Sequence, residues 1–264
     1  MHGPLRSRAC WVYHEFYRIK LSPEHLEAAT TGILTCLNDA ELPVRLSAAT
    51  SIHKMLYHKA ALQLVQPYLE NILGSYLKLM GEIDHEELLS ALEELVDHFA
   101  EHIAPYAIKL TVELINNYKR LSKLTDEEDA DAALTSVGCL CAVKQILKSV
   151  CNDAALLAQL ELEVYPVVLY TLTPDGIDTV EEGIECLTLL LYYLPTVSEK
   201  LWSLFPHMAH VIAGTPDNEE GGYGYEFLHN MLAAFQNYLS KEKEVFVAKK
   251  AGETSYLELM WRMI

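Results

Sequence analysis

The segment Val65-Gln66-Pro67-Tyr68-Leu69 returns in outline as Ile103-Ala104-Pro105-Tyr106-Ala107, Val164-Tyr165-Pro166-Val167-Val168 and Leu204-Phe205-Pro206-His207-Met208. Each places an apolar residue two positions before a proline and apolar residues at helical spacing after it. The prolines lie 38, 61 and 40 residues apart. The first and last separations are close to the length of a stacked helix-pair repeat, and the middle one reads as a repeat carrying an insertion. Proline is tolerated in a first helical turn, where its missing N–H would have no partner in any case. Each proline is therefore expected to open, or kink early, the second helix of a pair.

The first helices follow from periodicity. Residues 43–58 bring Ala48, Ala49, Ile52, Met55 and Leu56 onto one stripe. Residues 85–102 do the same with Leu88, Leu92, Leu95 and Phe99, and keep Glu86, Glu93, Glu94, Asp97 and Glu101 off it. The period is 3.6, and no alternating segment is bounded by hairpin turn signals. The fold class is all-α. Six pairs are expected: 4–19 with 23–37, 43–58 with 61–80, 85–102 with 104–121, 131–150 with 154–172, 177–194 with 198–213, and 223–240 with 254–264. A Lys/Glu-rich stretch, 241–253, joins the last two helices. A single pair cannot bury its own apolar faces, so neighbours must stack into an α-solenoid of antiparallel pairs, a right-handed superhelix. Residues 1–264 read as one continuous array. Neither end reads as a polar capping repeat, so a piece of a longer chain is expected.

Composition narrows the function. Half the residues are apolar, and no uninterrupted apolar stretch reaches the ~18 residues of a membrane helix. Arg6 and Arg8 lead into a mixed aromatic segment rather than the apolar core of a signal peptide. Cys10, Cys36, Cys139, Cys141, Cys151 and Cys186 show no C-x-x-C spacing and read as buried, reduced thiols of a cytosolic or nuclear protein. The net charge of −17 is uneven. Residues 1–80 carry eight Lys/Arg against six Asp/Glu, 81–131 four against fourteen, and 132–264 eight against seventeen. An acidic surface repels phosphate backbones and attracts basic partners, which argues against direct nucleic-acid binding.

Asn38-Asp39-Ala40-Glu41-Leu42-Pro43-Val44-Arg45-Leu46-Ser47-Ala48-Ala49 resembles the HEAT-repeat consensus, in which an Asp, a Val-Arg pair and small residues open a first helix. The Ala48-Ala49 pair suits close approach of the next helix. Leu5-Arg6-Ser7-Arg8-Ala9-Cys10-Trp11-Val12 resembles the Arg-x-Arg-Ala-x-Trp opening of a mid-array helix in importin-β-type receptors. Thr125-Asp126-Glu127-Glu128-Asp129-Ala130-Asp131 sits where an acidic loop interrupts such an array. Trp202-Ser203-Leu204-Phe205-Pro206 and Tyr256-Leu257-Glu258-Leu259 are similar in the same setting. The likeness points to the importin seven and importin eight branch, in its middle-to-late part. The resemblance implies a receptor that shuttles between cytoplasm and nucleus, carries protein cargo, binds Phe-Gly nucleoporins and releases cargo to Ran-GTP. The main Ran contacts of such receptors lie in N-terminal repeats outside this stretch. The competing expectation is a HEAT scaffold subunit of another stable multiprotein complex.

The candidate site is the acidic inter-repeat loop, 123–131. Its Asp126, Glu127, Glu128, Asp129 and Asp131 would attract a Lys/Arg-rich cargo in a salt-dependent way. The acids of 85–102 read as a solvated face. His98 and His102 are spaced i, i+4, but the H-E-x-x-H pattern is absent, with Leu89 where the second His would stand after His85-Glu86. His207 and His210 offer no third ligand, so no metal is expected. Gly221-Gly222-Tyr223-Gly224 has no preceding strand and no following Lys-Ser/Thr, and reads as a turn opening the helix at 223 rather than a phosphate loop. With no nucleophile motif either, neither catalysis nor a cofactor is expected. Lys119, Arg120 and Lys123 favour a helix C-terminus and form no nucleic-acid stripe. Trp11, Phe16, Phe99, Tyr192, Phe205 and Phe235 are expected in the core.

Overall fold

A computed structural model of the chain describes residues 2–123, 130–214 and 222–263. The architecture is all-α, built from helix pairs of the HEAT type. The helices in order are α1 (Gly3–Glu15), α2 (Pro23–Cys36), α3 (Leu42–Met55), α4 (Lys59–Val65), α5 (Leu69–Glu82), α6 (Glu86–His98) and α7 (Ala107–Leu121). They continue with α8 (Ala130–Ser149), α9 (Ala154–Thr171), α10 (Val180–Tyr193), α11 (Glu199–Ala213), α12 (Leu228–Lys241), α13 (Lys243–Ala248) and α14 (Tyr256–Met263). The chain divides into two compact units, Met1–Tyr106 with Asn116–Gln145, and Ala107–Ile115 with Ile146–Ile264.

Local sequence explains where helices begin. Ser22 caps α2 by accepting the His25 N–H, with Pro23 and Glu24 in the first turn. Asp153 accepts the Leu156 N–H at 2.9 Å to start α9, and Ser198 accepts the Leu201 N–H at 3.1 Å to start α11. These are the short acceptors that satisfy otherwise orphaned first-turn donors.

In the first unit α3 is the hub, packed by α1, α2, α5 and α6. Ala48 and Ala49 are fully buried. Small side chains bring α1 close enough for the Ser51 hydroxyl to donate to the Cys10 carbonyl at 2.9 Å and for Ser7 and Ser47 to bond at 2.7 Å. Buried Tyr76 of α5 donates to the Ala49 carbonyl at 2.6 Å. Burial raises the Tyr76 phenol above its ordinary range, so it stays a donor. One ionic device recurs among the described residues. Arg6 of α1 forks onto Asp39, at 2.6 and 2.9 Å, and Arg45 of α3 reaches Glu82 at the end of α5. Arg45 also donates to the Asp39 and Ala40 carbonyls, tying down the turn into its own helix.

In the second unit α9 packs on α10 and α11, α10 on α12, and α11 on α14. Phe205 is the centre of an aromatic core, with the rings of Phe235, Tyr238, Phe246 and Tyr256 at centroid distances of 4.9–5.6 Å. Among the described residues α9 is the one helix long and apolar enough by composition to cross a membrane. It nevertheless buries the carboxylate of Glu161, which accepts from Ser198, and it packs against two neighbours.

Several expectations are corrected. Pro67 and Pro105 do sit in short 3-10 turns at the head of α5 and α7, and Pro67 splits the expected helix 61–80 into α4 and α5. Pro166 and Pro206, however, lie inside α9 and α11. A mid-helix proline strips the carbonyl four residues back of its N–H partner. For Pro206 that carbonyl is Trp202's, and the Tyr256 hydroxyl of α14 donates to it at 2.9 Å. Tertiary packing thus replaces the missing helix bond. Strands were not expected, yet Lys250–Ala251 and Thr254–Ser255 pair as an antiparallel hairpin. Its two-residue turn is Gly252-Glu253, with Gly252 at φ +63°, the conformation a II′ hairpin requires at its first turn position. Of the six expected core aromatics, Phe99, Phe205 and Phe235 are buried. Trp11 of α1 and Tyr192 of α10 are 37% and 63% exposed, and Phe16, in the turn that follows α1, is 55% exposed. The cysteines form no disulfide among the described residues; Cys10, Cys139 and Cys186 are buried, while Cys36, Cys141 and Cys151 are half-buried.

Candidate binding surfaces

The expected acidic site falls largely outside the described residues. Asp126, Glu127, Glu128 and Asp129 lie outside them; Asp131 belongs to the first turn of α8, and its side chain is likewise outside. The acids of α6 are not merely solvated. Glu87 meets His14 of α1 at 3.1 Å, Glu94 meets Lys54 of α3 at 3.3 Å, and Asp97 accepts from Gln145 of α8 at 2.7 Å. They fasten neighbouring first helices together.

The histidines are equally structural. His102 pairs with Gln66 at 2.7 Å, and His98 stands exposed at the end of α6. Among the described residues no three His, Cys, Asp or Glu side chains converge as metal ligands. His207 and His210 are ring neighbours at 6.4 Å, and burial lowers the His207 pKa, helped by His210. His53 is 3% exposed and its Nδ1 has no partner. Desolvation first, then the charges of Lys54, His14 and His98, push its pKa down to about 3. It is a neutral core histidine. The glycine-rich stretch behaves as a turn: Gly224 N–H donates to the Val211 carbonyl at 2.9 Å, and the helix proper opens at Leu228 after a 3-10 turn.

Among the described residues two concave surfaces combine an apolar lining with room for side chains. In the first unit a cleft of about 380 Å³ opens between α2 and the α4–α5 pair. Leu34, Leu64, Tyr68 and Ile72 form its floor, and Asn38, Asn71 and Glu27 stand at its rim. In the second unit an apolar groove of about 640 Å³ lies between α12 and α14, lined by Leu232, Phe235, Leu239, Met260 and Met263 among others. Exposed rings add to the first unit's surface: Arg8 lies 3.6 Å from the Trp11 ring, and Tyr17 meets Tyr57 edge to face at 5.3 Å. These features can hold apolar and cationic groups of a polypeptide.

No protein-family model matches the chain. It is 30% identical over 266 residues to the importin beta-like SAD2 homolog of Arabidopsis thaliana, an alignment covering 99% of the chain and 25% of that protein. Identity to the probable importin-7 homolog of Dictyostelium discoideum is 28%, over 99% of the chain and 24% of the relative. Its curated relatives over nearly the whole chain are importin-β family members. Importin-8 of Mus musculus, at 22% identity over 99% of the chain and 25% of its own length, agrees with the importin seven and eight branch. The chain spans about a quarter of the length of the curated relatives it matches. The α2–α5 cleft was invisible in the sequence. Asn38 figured there only as the first residue of the HEAT-like stretch, and Asn71 and Glu27 belong to no motif. The cleft's walls come from helices of two successive pairs, so no single periodic window contains it.

Proposed function

We propose that the chain is a segment of a nuclear transport receptor that holds protein cargo and Phe-Gly nucleoporins by shape and charge, without catalysis. The observation that carries this reading is homology to importins over 99% of the chain. The surfaces support it: an apolar groove between α12 and α14 suited to phenylalanine side chains, and a strongly acidic stretch around Asp126, Glu127, Glu128, Asp129 and Asp131 suited to basic cargo. In the whole receptor Ran-GTP would be a further partner, bound mainly by repeats other than these. The working compartments would be cytoplasm and nucleus. The reading includes neither nucleic-acid binding nor membrane insertion, nor a cofactor.

The test is a titration of the purified chain with a fluorescent Phe-Gly repeat peptide and with a Lys/Arg-rich peptide, each at low and physiological salt. Phe-Gly binding that survives salt is expected, because apolar contacts are not screened. Basic-peptide binding is expected to weaken steeply with salt and with neutralisation of Asp126 to Asp131. Absence of both bindings would overturn the assignment for this segment.

A further inference from the structure

The cleft between α2 and the α4–α5 pair has the chemistry of a main-chain reader. Asn38 and Asn71 are exposed at its rim, and neither carboxamide has a hydrogen-bond partner among the described residues. A carboxamide presents a donor and an acceptor side by side, matching the N–H and C=O of a peptide group. Between the two rim residues lies an apolar floor, Leu34, Leu64 and Ile72, flanked by the half-exposed ring of Tyr68. Its volume lies within the range of pockets that enclose small groups, about 300–1,000 Å³. Glu27 is the one charged side chain lining the cleft among the described residues, so the field there favours a cation.

We propose that this cleft binds an extended segment of a partner polypeptide, with an apolar side chain on the floor, a neighbouring Lys or Arg against Glu27, and main-chain groups paired with Asn38 and Asn71. The occupant is extended rather than helical because a helix spends its N–H and C=O groups internally and leaves the carboxamides nothing to bind. The proposal rests on the reading of the chain as a binding scaffold and gives that scaffold one defined grip on a cargo segment.

The experiment uses the full chain and the fluorescent peptide (Lys-Leu-Gly)4, followed by anisotropy, beside the same peptide N-methylated at its leucines. The double variant Asn38→Ala/Asn71→Ala is expected to weaken binding about tenfold, the order of two neutral hydrogen bonds. N-methylation should cost part of that factor in the wild type and little in the variant, since it removes the N–H half of the bonds that the variant loses entirely. Glu27→Gln should flatten the salt dependence. Both asparagines are exposed, and unchanged far-UV circular dichroism would show that the variants fold. No binding of this peptide, or binding indifferent to both the variant and the methylation, would overturn the site. Phe-Gly binding is measured on the same variants. If it persists while the cleft arm fails, the transport reading stands without this site. If it is absent while the cleft arm holds, the site stands and the nucleoporin half of the transport reading falls.

Discussion

Pro206 and Tyr256 are coupled through one carbonyl, and a double-mutant cycle measures the coupling. Pro206 interrupts α11 and leaves the Trp202 carbonyl without its helix donor, and the buried Tyr256 hydroxyl supplies the replacement at 2.9 Å. Tyr256→Phe keeps the ring stacked on Phe205, 4.9 Å between centroids, and deletes only the donor. Trp202 is 2% exposed and Tyr256 4%, so water has little access to the orphaned carbonyl. The cost is expected to be about 1–3 kcal/mol, the desolvation penalty of an unpaired buried acceptor. In a Pro206→Ala background the backbone N–H gained at that position serves the carbonyl from within the helix. Tyr256→Phe should then cost no more than about 0.5 kcal/mol, leaving a coupling energy of at least about 0.5 kcal/mol. Urea unfolding of the four proteins, followed by tryptophan fluorescence and far-UV circular dichroism, gives all corners of the cycle. Equal costs of Tyr256→Phe in the two backgrounds would refute the argument that the tyrosine substitutes for the helix bond.

Three further outcomes are expected. His53 has its folded pKa depressed to about 3. Its contribution is therefore intact above the unfolded value of about 6.5 and is lost as pH falls, since the unfolded chain takes a proton the folded chain refuses. Between pH 7.5 and 4.5 the wild type should lose about 2.6 kcal/mol more stability than His53→Leu; parallel urea-unfolding profiles for the two proteins would contradict this. Gly183→Ala in α10 would push a Cβ to 2.1 Å from Oγ1 of buried Thr171 in α9, so despite better helix propensity it should destabilise by about 1–3 kcal/mol; a raised thermal midpoint would show that α9 and α10 can separate freely. Burial pushes the Cys10 and Cys139 thiols up to about 12, so at pH 8 in native buffer an aromatic disulfide reagent should leave both unmodified while labelling Cys36 or Cys151; mass spectrometry of the labelled peptides checks the assignment.

The helix pairs were legible because their signals are local. A 3.6-residue stripe such as Leu88, Leu92, Leu95 needs only a window of two or three turns to be read, and all three residues are buried. Ser22, Asp153 and Ser198 cap their helices through bonds that span only three residues. The HEAT-like stretch 38–49 and the Arg-x-Arg-Ala-x-Trp opening named the family for a similar reason, since order along the chain is what a sequence preserves. The hairpin at 250–255 was also written locally, in the Gly-Glu turn, but its strands are two residues each and too short to alternate.

What was misread depends on contacts between residues far apart in the chain. Proline is compatible with the interior of α11 only because Tyr256, fifty-four residues from Trp202, reaches the freed carbonyl. Trp11 and Phe205 are equally apolar; one is exposed and the other buried because α1 turns Trp11 away from α3 while α12, α13 and α14 close over Phe205. The acids of α6 became fasteners only when α1, α3 and α8 brought His14, Lys54 and Gln145 opposite them. The α2–α5 cleft likewise exists only where two successive pairs leave a gap. Helix type, repeat and kinship could all be read from residue order, because short-range periodicity and motif order carry them. Which faces stay open to a partner emerged only from packing, because exposure belongs to pairs of helices and not to either one alone.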